Sequence, residues 1–381
     1  MSIVVHGYPT RRSSAKKIYI ALAVACLALL VPAFSREQPE GSIACGWQAT
    51  TIPNGIPHLN AIAGTSSSNV WAVGPGTPTL HFDGFSWSSV FTKNSSETQV
   101  LNGVSALNTI DAWAVGSSSP PMHDLKPLVF HWDGSTWVEV ADHISGGAQG
   151  KSLDGVADIS TSDVWAVGSI CAVGVCQPLA EMFDGTQFVI HNGPEQGKYA
   201  SYYSVSGDAP TDVWAVGSVS SSSPQGFVNR PIADRWDGTH WIASRLPADL
   251  GILLSVKVNS STDVWAAGQD DINGRSRALI EHWNGSSWSI VRNPVQSSYS
   301  FLTSISGTGP NDMWVSGIRT PTPSLYHPIT EHWNGSRWNE VDPNQPTIAS
   351  SIAILDLGHQ IVFLVGTVYG GGAFVDQYTC N

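Results

Sequence analysis

The chain has 381 residues, with 18 Lys+Arg against 30 Asp+Glu, and a formal net charge of −12. Hydrophobic residues at 42%, with 37 Gly, 23 Pro and 16 Trp, exclude a disordered, collagenous or coiled-coil chain. The acidic balance excludes a nucleic-acid or anionic-membrane surface, because phosphate binding needs a basic patch.

The first predicted element is an export leader over 1–35. Arg11, Arg12, Lys16 and Lys17 precede a mostly apolar run over 18–34, and Ala33-Phe34-Ser35 places small residues where signal peptidase cuts. An uncleaved signal anchor is the alternative, since the run just reaches the length of a span. A lipoprotein site at Cys26 does not fit, because the apolar run continues past it. Cleavage leaves 14 basic against 30 acidic residues, an acidic exported protein. A short linker follows over 36–44. No membrane contact is expected beyond a possible anchor.

From residue 45 onward the chain repeats itself. Asp-Val-Trp-Ala-Val-Gly stands at 163–168 and 212–217, and variants place Trp at 71, 113, 165, 214, 265 and 314. The next spacing reaches Phe363, a degenerate seventh copy. A second signature follows each, as in His131-Trp132-Asp133-Gly134-Ser135-Thr136-Trp137 and His282-Trp283-Asn284-Gly285-Ser286-Ser287-Trp288. Each unit reads as four short strands, and Asp-Gly or Asn-Gly predicts a type I′ hairpin between the third and fourth. Four-stranded units of about 50 residues arranged radially are propeller blades. The expected fold is therefore all-β, a seven-bladed β-propeller over 45–381. In the first strand of each unit one position is always small (Ala61, Gly103, Gly155, Ser204, Ser255, Ser304, Ala353), as crowding around an axis requires.

The chain ends predict how the ring closes. Trp47 matches the fourth-strand Trp with no preceding strands, while the C-terminus carries three strands and no fourth. The N-terminal strand should complete the last blade, with a Cys45–Cys380 disulfide where other blades have their Asn-Gly turn. Cys171 and Cys176 should form a second, local bridge. Such pairing belongs to an oxidising compartment, hence a secreted or envelope-associated protein.

The two signatures together resemble the repeats of secreted bacterial β-propeller proteins grouped with kelch and galactose-oxidase-like propellers. The resemblance implies the fold over 45–381. No copper constellation of Tyr, Cys and His accompanies it, and the paired-glycine strand ends of kelch are missing, so no oxidase activity is implied.

Strand polarity puts the short turns on one face of the disc and the variable loops on the other: 117–127, 169–178, 218–231, 269–277 and 318–328, with 91–100, 141–151, 189–200 and 291–300. Variable loops on a rigid scaffold are where binding resides. Tyr199, Tyr202, Tyr203, Tyr299, Tyr326 and Tyr369 lie in these loops or at their strand junctions, as do Arg230, Arg275, Arg277 and Arg319. Tyr offers large amphipathic contact area at small entropic cost, and Arg can hold a carboxylate or sulfate bidentately. His81, His131, His282 and His332 recur at one position where Met182 and Arg235 also stand, so they read as structural. Asp111, Asp163, Asp212, Asp263 and Asp312 are expected to bond the turn backbone. No cofactor is expected, although Asp270, Asp271 and Asn273 offer oxygens to Ca²⁺.

The expected function is a binding module presenting the variable face to a glycan, polymer or protein partner, acting as a monomer. The alternative is a polysaccharide lyase or hydrolase at the axial mouth. There Asn60, Asn102 and Asp154 precede the small-residue ring, and a pair of clustered carboxylates would be the sign of catalysis.

Overall fold

The computed structural model describes residues 45–380, except 77, 91–97, 120–124, 142–149, 195, 224–225, 273, 296–298, 323–324, 344 and 346–348. The leader over 1–35, the linker over 36–44 and Asn273 lie outside these residues.

The described chain is an all-β propeller of four-stranded blades. The expectation of seven separate blades is corrected: five four-stranded blades stand as sheets of their own, not seven. The third and fourth repeats share one eight-stranded sheet, joined by a single parallel pair, Cys176 with Tyr199. The reason lies in the disulfide hairpin. Strands Asp163–Ala172 and Val175–Phe183 run on to the Cys171–Cys176 bridge, and there the Cys176 N–H donates to the Lys198 carbonyl at 2.8 Å. Gln177 Nε2 adds a bond to the Gly197 carbonyl.

In the last sheet, Cys45–Ala49 lies antiparallel outside Gly372–Cys380, with Cys45 opposite Cys380 and the two bridged. The aromatic residues weld neighbours together in a cyclic order. Each second-strand ring packs on the third- and fourth-strand rings of the next repeat: Trp71 on Trp132 and Trp137 (4.8 and 5.0 Å), Trp214 on Trp283 and Trp288 (both 5.2 Å). Phe363 of the last repeat packs on Phe82 and Trp87 of the first, which closes the circle.

The hairpin between third and fourth strands is not the predicted type I′ turn. Only its glycine is left-handed (Gly134 φ 92°, Gly285 φ 92°), while Asp133 and Asn284 are not. Instead the side chain builds the turn. Asp133 Oδ1 accepts from the Ser135 and Thr136 N–H groups, and Asn284 Oδ1 from Ser286 and Ser287. The Ser135 hydroxyl, which also donates to Asp133 Oδ1, and these backbone bonds pull the exposed Asp133 carboxyl down to about 2.

The glycine ending Trp-Ala-Val-Gly has a tertiary cause. The facing inner strand carries a β-bulge, as between Tyr202 and Ser204, which presses its backbone against the second strand. A Cβ on Gly217 would collide with the Ser201 carbonyl oxygen, and Gly116, Gly168, Gly268 and Gly317 are confined in the same way. Gly217→Ala is therefore expected to destabilise by about 3 kcal/mol, as overpacking into rigid backbone does, measured by denaturant unfolding. An effect under about 1 kcal/mol would show that the strand can yield.

Candidate functional site at the axial mouth

The inner strands, among them Thr98–Asn108, Gly150–Ser160 and Tyr199–Ala209, surround a cavity of about 430 Å³ on the axis. Small residues let these strands approach one another around it: a Cβ on Gly155 would come within 3.0 Å of the Ser204 Cα in the neighbouring strand. The serines also stitch these strands together. Ser204, Ser255 and Ser304 Oγ accept from the N–H groups of Val256, Ile305 and Ile354 in the following repeat.

The residue before the small one is the extra residue of the bulge in Thr98–Asn108, Gly150–Ser160 and the four inner strands that follow. A bulge re-aims its side chain, here toward the axis. The resulting ring is Asn60, Asn102, Asp154 and Tyr203 on one side, and Leu254, Thr303 and Ile352 on the other. Asn60 and Asn102 are oriented by the strands behind them. Asn60 Nδ2 donates to the Leu101 carbonyl and Asn102 Nδ2 to the Leu153 carbonyl, both at 3.0 Å. Asn102 Nδ2 also donates to Asp154 Oδ1 at 3.2 Å. Asp154 cannot extend the series, since a carboxylate has no proton to offer the next carbonyl. Burial pushes its carboxyl up to about 6, against the opposing Asn102 bond. Asp154 is the one carboxylate among the described lining residues.

Nearer the short-turn face a second cavity is lined by Lys257, Asp263 and Asp356. Burial lowers the Lys257 ammonium, opposed by the nearby Asp356, whose own carboxyl burial raises to about 6. Ser105 donates to Asp158, a buried carboxyl pushed up to about 7.

The other predicted residues are dispersed. Tyr202 is fully buried, its hydroxyl donating to Asp234, so it belongs to the core and not to the variable face. Tyr203 lines the axial mouth, with its hydroxyl 3.0 Å from Ser218 Oγ. Tyr199 and Tyr299 are exposed, and Tyr199 meets the exposed Phe227 edge to face. Tyr326 and the exposed Tyr369 stack at 5.0 Å, bridging the last two repeats on the variable face. Arg230 and Arg275 are exposed, Arg277 attends Asp270, and Arg319 is committed to Glu340 at 2.7 Å.

The recurring histidines and aspartates bond each other. His131, His282 and His332 Nε2 lie 2.7–2.9 Å from Asp111, Asp263 and Asp312, and each ring lies against its second-strand Trp. The expectation that these aspartates bond the turn backbone is corrected at Asp111, Asp263 and Asp312, whose partners are the histidine and, at Asp111 and Asp263, the Trp indole N–H. Asp163, in the blade where Met182 takes the histidine position, has Trp165. Arg235 takes the histidine's place on Asp212. Asp271 bonds Gln269 and Ser276, and no group of three or more His, Cys, Asp or Glu that could hold a metal occurs among the described residues.

A set of buried carboxylates escaped sequence reasoning. Glu181, Asp234, Glu281, Glu331 and Asp376 all stand one residue before the histidine position. Four of them reach the segment leading into their own blade: Glu181 through Lys151 at 2.7 Å, Asp234 through Gln196, Glu281 through the Ala248 N–H, and Asp376 through Gln345. The signal was an acidic residue inside an apolar strand, repeated at one register.

Comparison with solved structures agrees on the fold. YCF48 bound to D1 peptide superposes with a TM-score of 0.56 at 14% identity, covering 88% of this chain and 97% of that one. The WD40 β-propeller domain of Doa1 gives 0.57 at 12% identity, over 88% and 97%. The GH74 xyloglucanase from Xanthomonas campestris gives 0.55 at 11%, over 87% of this chain and 53% of that one. The chain is a β-propeller. No protein-family model and no curated protein sequence matches it, so of the expected resemblance only the β-propeller fold is shown, not the kelch grouping.

Proposed function

We propose that this protein is an exported binding module that engages its partner on the variable-loop face, over the axial mouth. The observation that carries this reading is the pairing of an open axial cavity with an aromatic rim on one face. Asn60, Asn102, Asp154 and Tyr203 line the cavity, while Tyr299, the Tyr199–Phe227 pair and the Tyr326–Tyr369 stack stand outside it. Rigid aromatic anchors around a polar recess supply contact area and orientation respectively. The lyase or hydrolase alternative needs a second carboxylate near Asp154, and the described lining supplies none. The two disulfides and the basic-apolar leader support export to an oxidising compartment. One structural neighbour was solved with a peptide, and we favour a polypeptide partner over a glycan or polymer here.

The test is parallel binding to peptide and glycan arrays by the wild-type protein and by Tyr326→Ala/Tyr369→Ala. The expected result is a selective hit whose affinity falls at least tenfold, about 1.4 kcal/mol, in the double variant. Silence on both arrays overturns the reading.

A further inference from the structure

The acceptor pattern of the axial mouth narrows the ligand further. Each amide in the ring has its nitrogen fixed, because only the NH₂ can donate to the Leu101 and Leu153 carbonyls. The Oδ1 atoms of Asn60 and Asn102 are left without a hydrogen-bond partner among the described residues. Asp154 has Asn102 alone as its partner, so its Oδ2 is also open. None of these three oxygens is a sealed, unsatisfied atom; all are reachable from the cavity. The polar arc thus offers three acceptors and one negative charge, against one amide N–H of Asn60 beyond its bond to Leu101. On the other side of the ring, Leu254 and Ile352 supply apolar surface on either side of Thr303, whose hydroxyl donates to the Ser316 carbonyl.

We propose that the axial mouth captures a primary ammonium on an aliphatic stem, as a lysine side chain of a partner polypeptide presents it. The ammonium has three donors and no acceptor, which matches three open oxygens around one carboxylate. The methylene stem lies along Leu254 and Ile352, as long cationic side chains do on apolar surface. An anionic ligand is repelled by Asp154, and a neutral sugar hydroxyl can donate to the carboxylate but brings no positive charge to offset it. This proposal rests on the binding-module reading and names what enters its recess.

The test is calorimetric titration of the protein with a blocked five-residue peptide carrying one central lysine, with its Nε-acetyl-lysine twin, and with a glucosamine oligomer. Asp154→Asn, which keeps the shape and removes the charge, is titrated alongside. The lysine peptide is expected to bind at least tenfold more tightly than its acetylated twin, and Asp154→Asn to abolish that preference. Equal binding of the two peptides, or an Asp154→Asn protein that still discriminates, overturns the proposal. Preference for the glucosamine oligomer overturns the polypeptide source. If no ammonium probe binds while an array ligand still does, this inference fails and the binding-module reading stands.

Discussion

Replacing Cys45 and Cys380 together by serine is expected to lower the melting temperature by about 7 °C. The bridge spans 335 residues. Loop-closure entropy for so long a span gives roughly 6 kcal/mol, and the measured range tops out at about 5 kcal/mol, the loss taken here. Unfolding entropy scales with chain length, so in a propeller of this size that loss corresponds to about 7 °C. The strand it holds is short. Cys45–Ala49 keeps its place through five residue pairs and through Trp47, whose ring meets Trp314 at 5.9 Å and Tyr378 at 5.3 Å. Without the bridge this strand frays first and exposes the edge of Gly372–Cys380. Hydrogen exchange should therefore rise over 372–380 before it rises elsewhere. The Cys171–Cys176 bridge closes a loop of only five residues in a hairpin already paired, and its removal should shift melting far less. Equal shifts from the two variants, or fast exchange spread evenly over all blades, would refute this account of closure.

Thermal stability should be higher at pH 5.5 than at pH 8.5, and Glu331→Gln should remove a large part of the difference. Burial pushes the Glu331 carboxyl up to about 8, with Glu340 adding to the shift, while the Val295 N–H and Arg319 oppose it. Burial likewise raises Glu281 to about 7 and Asp376 to about 6. A carboxyl whose folded pKa exceeds its unfolded value stabilises the fold while protonated. That stabilisation is complete below pH 4.5 and is lost as pH rises through 7 to 8. At 1.36 kcal/mol per pH unit, Glu331 alone accounts for roughly a few kcal/mol between those limits. The glutamine variant should gain that amount at pH 8.5 and change little at pH 5.5, in calorimetric melts at matched ionic strength. A flat wild-type profile, or a variant destabilised at both pH values, would contradict it.

Glycans and polypeptides make different demands on the face these blades present. In the proposed reading the stacked Tyr326–Tyr369 pair serves either, whereas the open amide oxygens at Asn60 and Asn102 take a hydrogen-bond donor. Under the proposed reading, the axial recess selects the ligand's chemistry and the rim supplies contact area.

The sequence by itself determined what depends on local pattern. The Trp positions, the small residue in each inner strand, the halves of a sheet left at the two chain ends and both cysteine pairs follow from a repeat unit whose turns and periodicity are encoded within about 50 residues. Tertiary structure alone decided what depends on register between segments far apart. The bulge that aims Asn102 and Asp154 at the axis arises where an inner strand meets its Gly-ended neighbour. Tyr202 goes inward because Asp234, in another strand, takes its hydroxyl. The third and fourth repeats merge because one disulfide hairpin is long enough to reach the next connection. Side-chain direction and sheet pairing turn on single-residue offsets between distant strands, and a linear pattern of residue types carries no measure of those offsets.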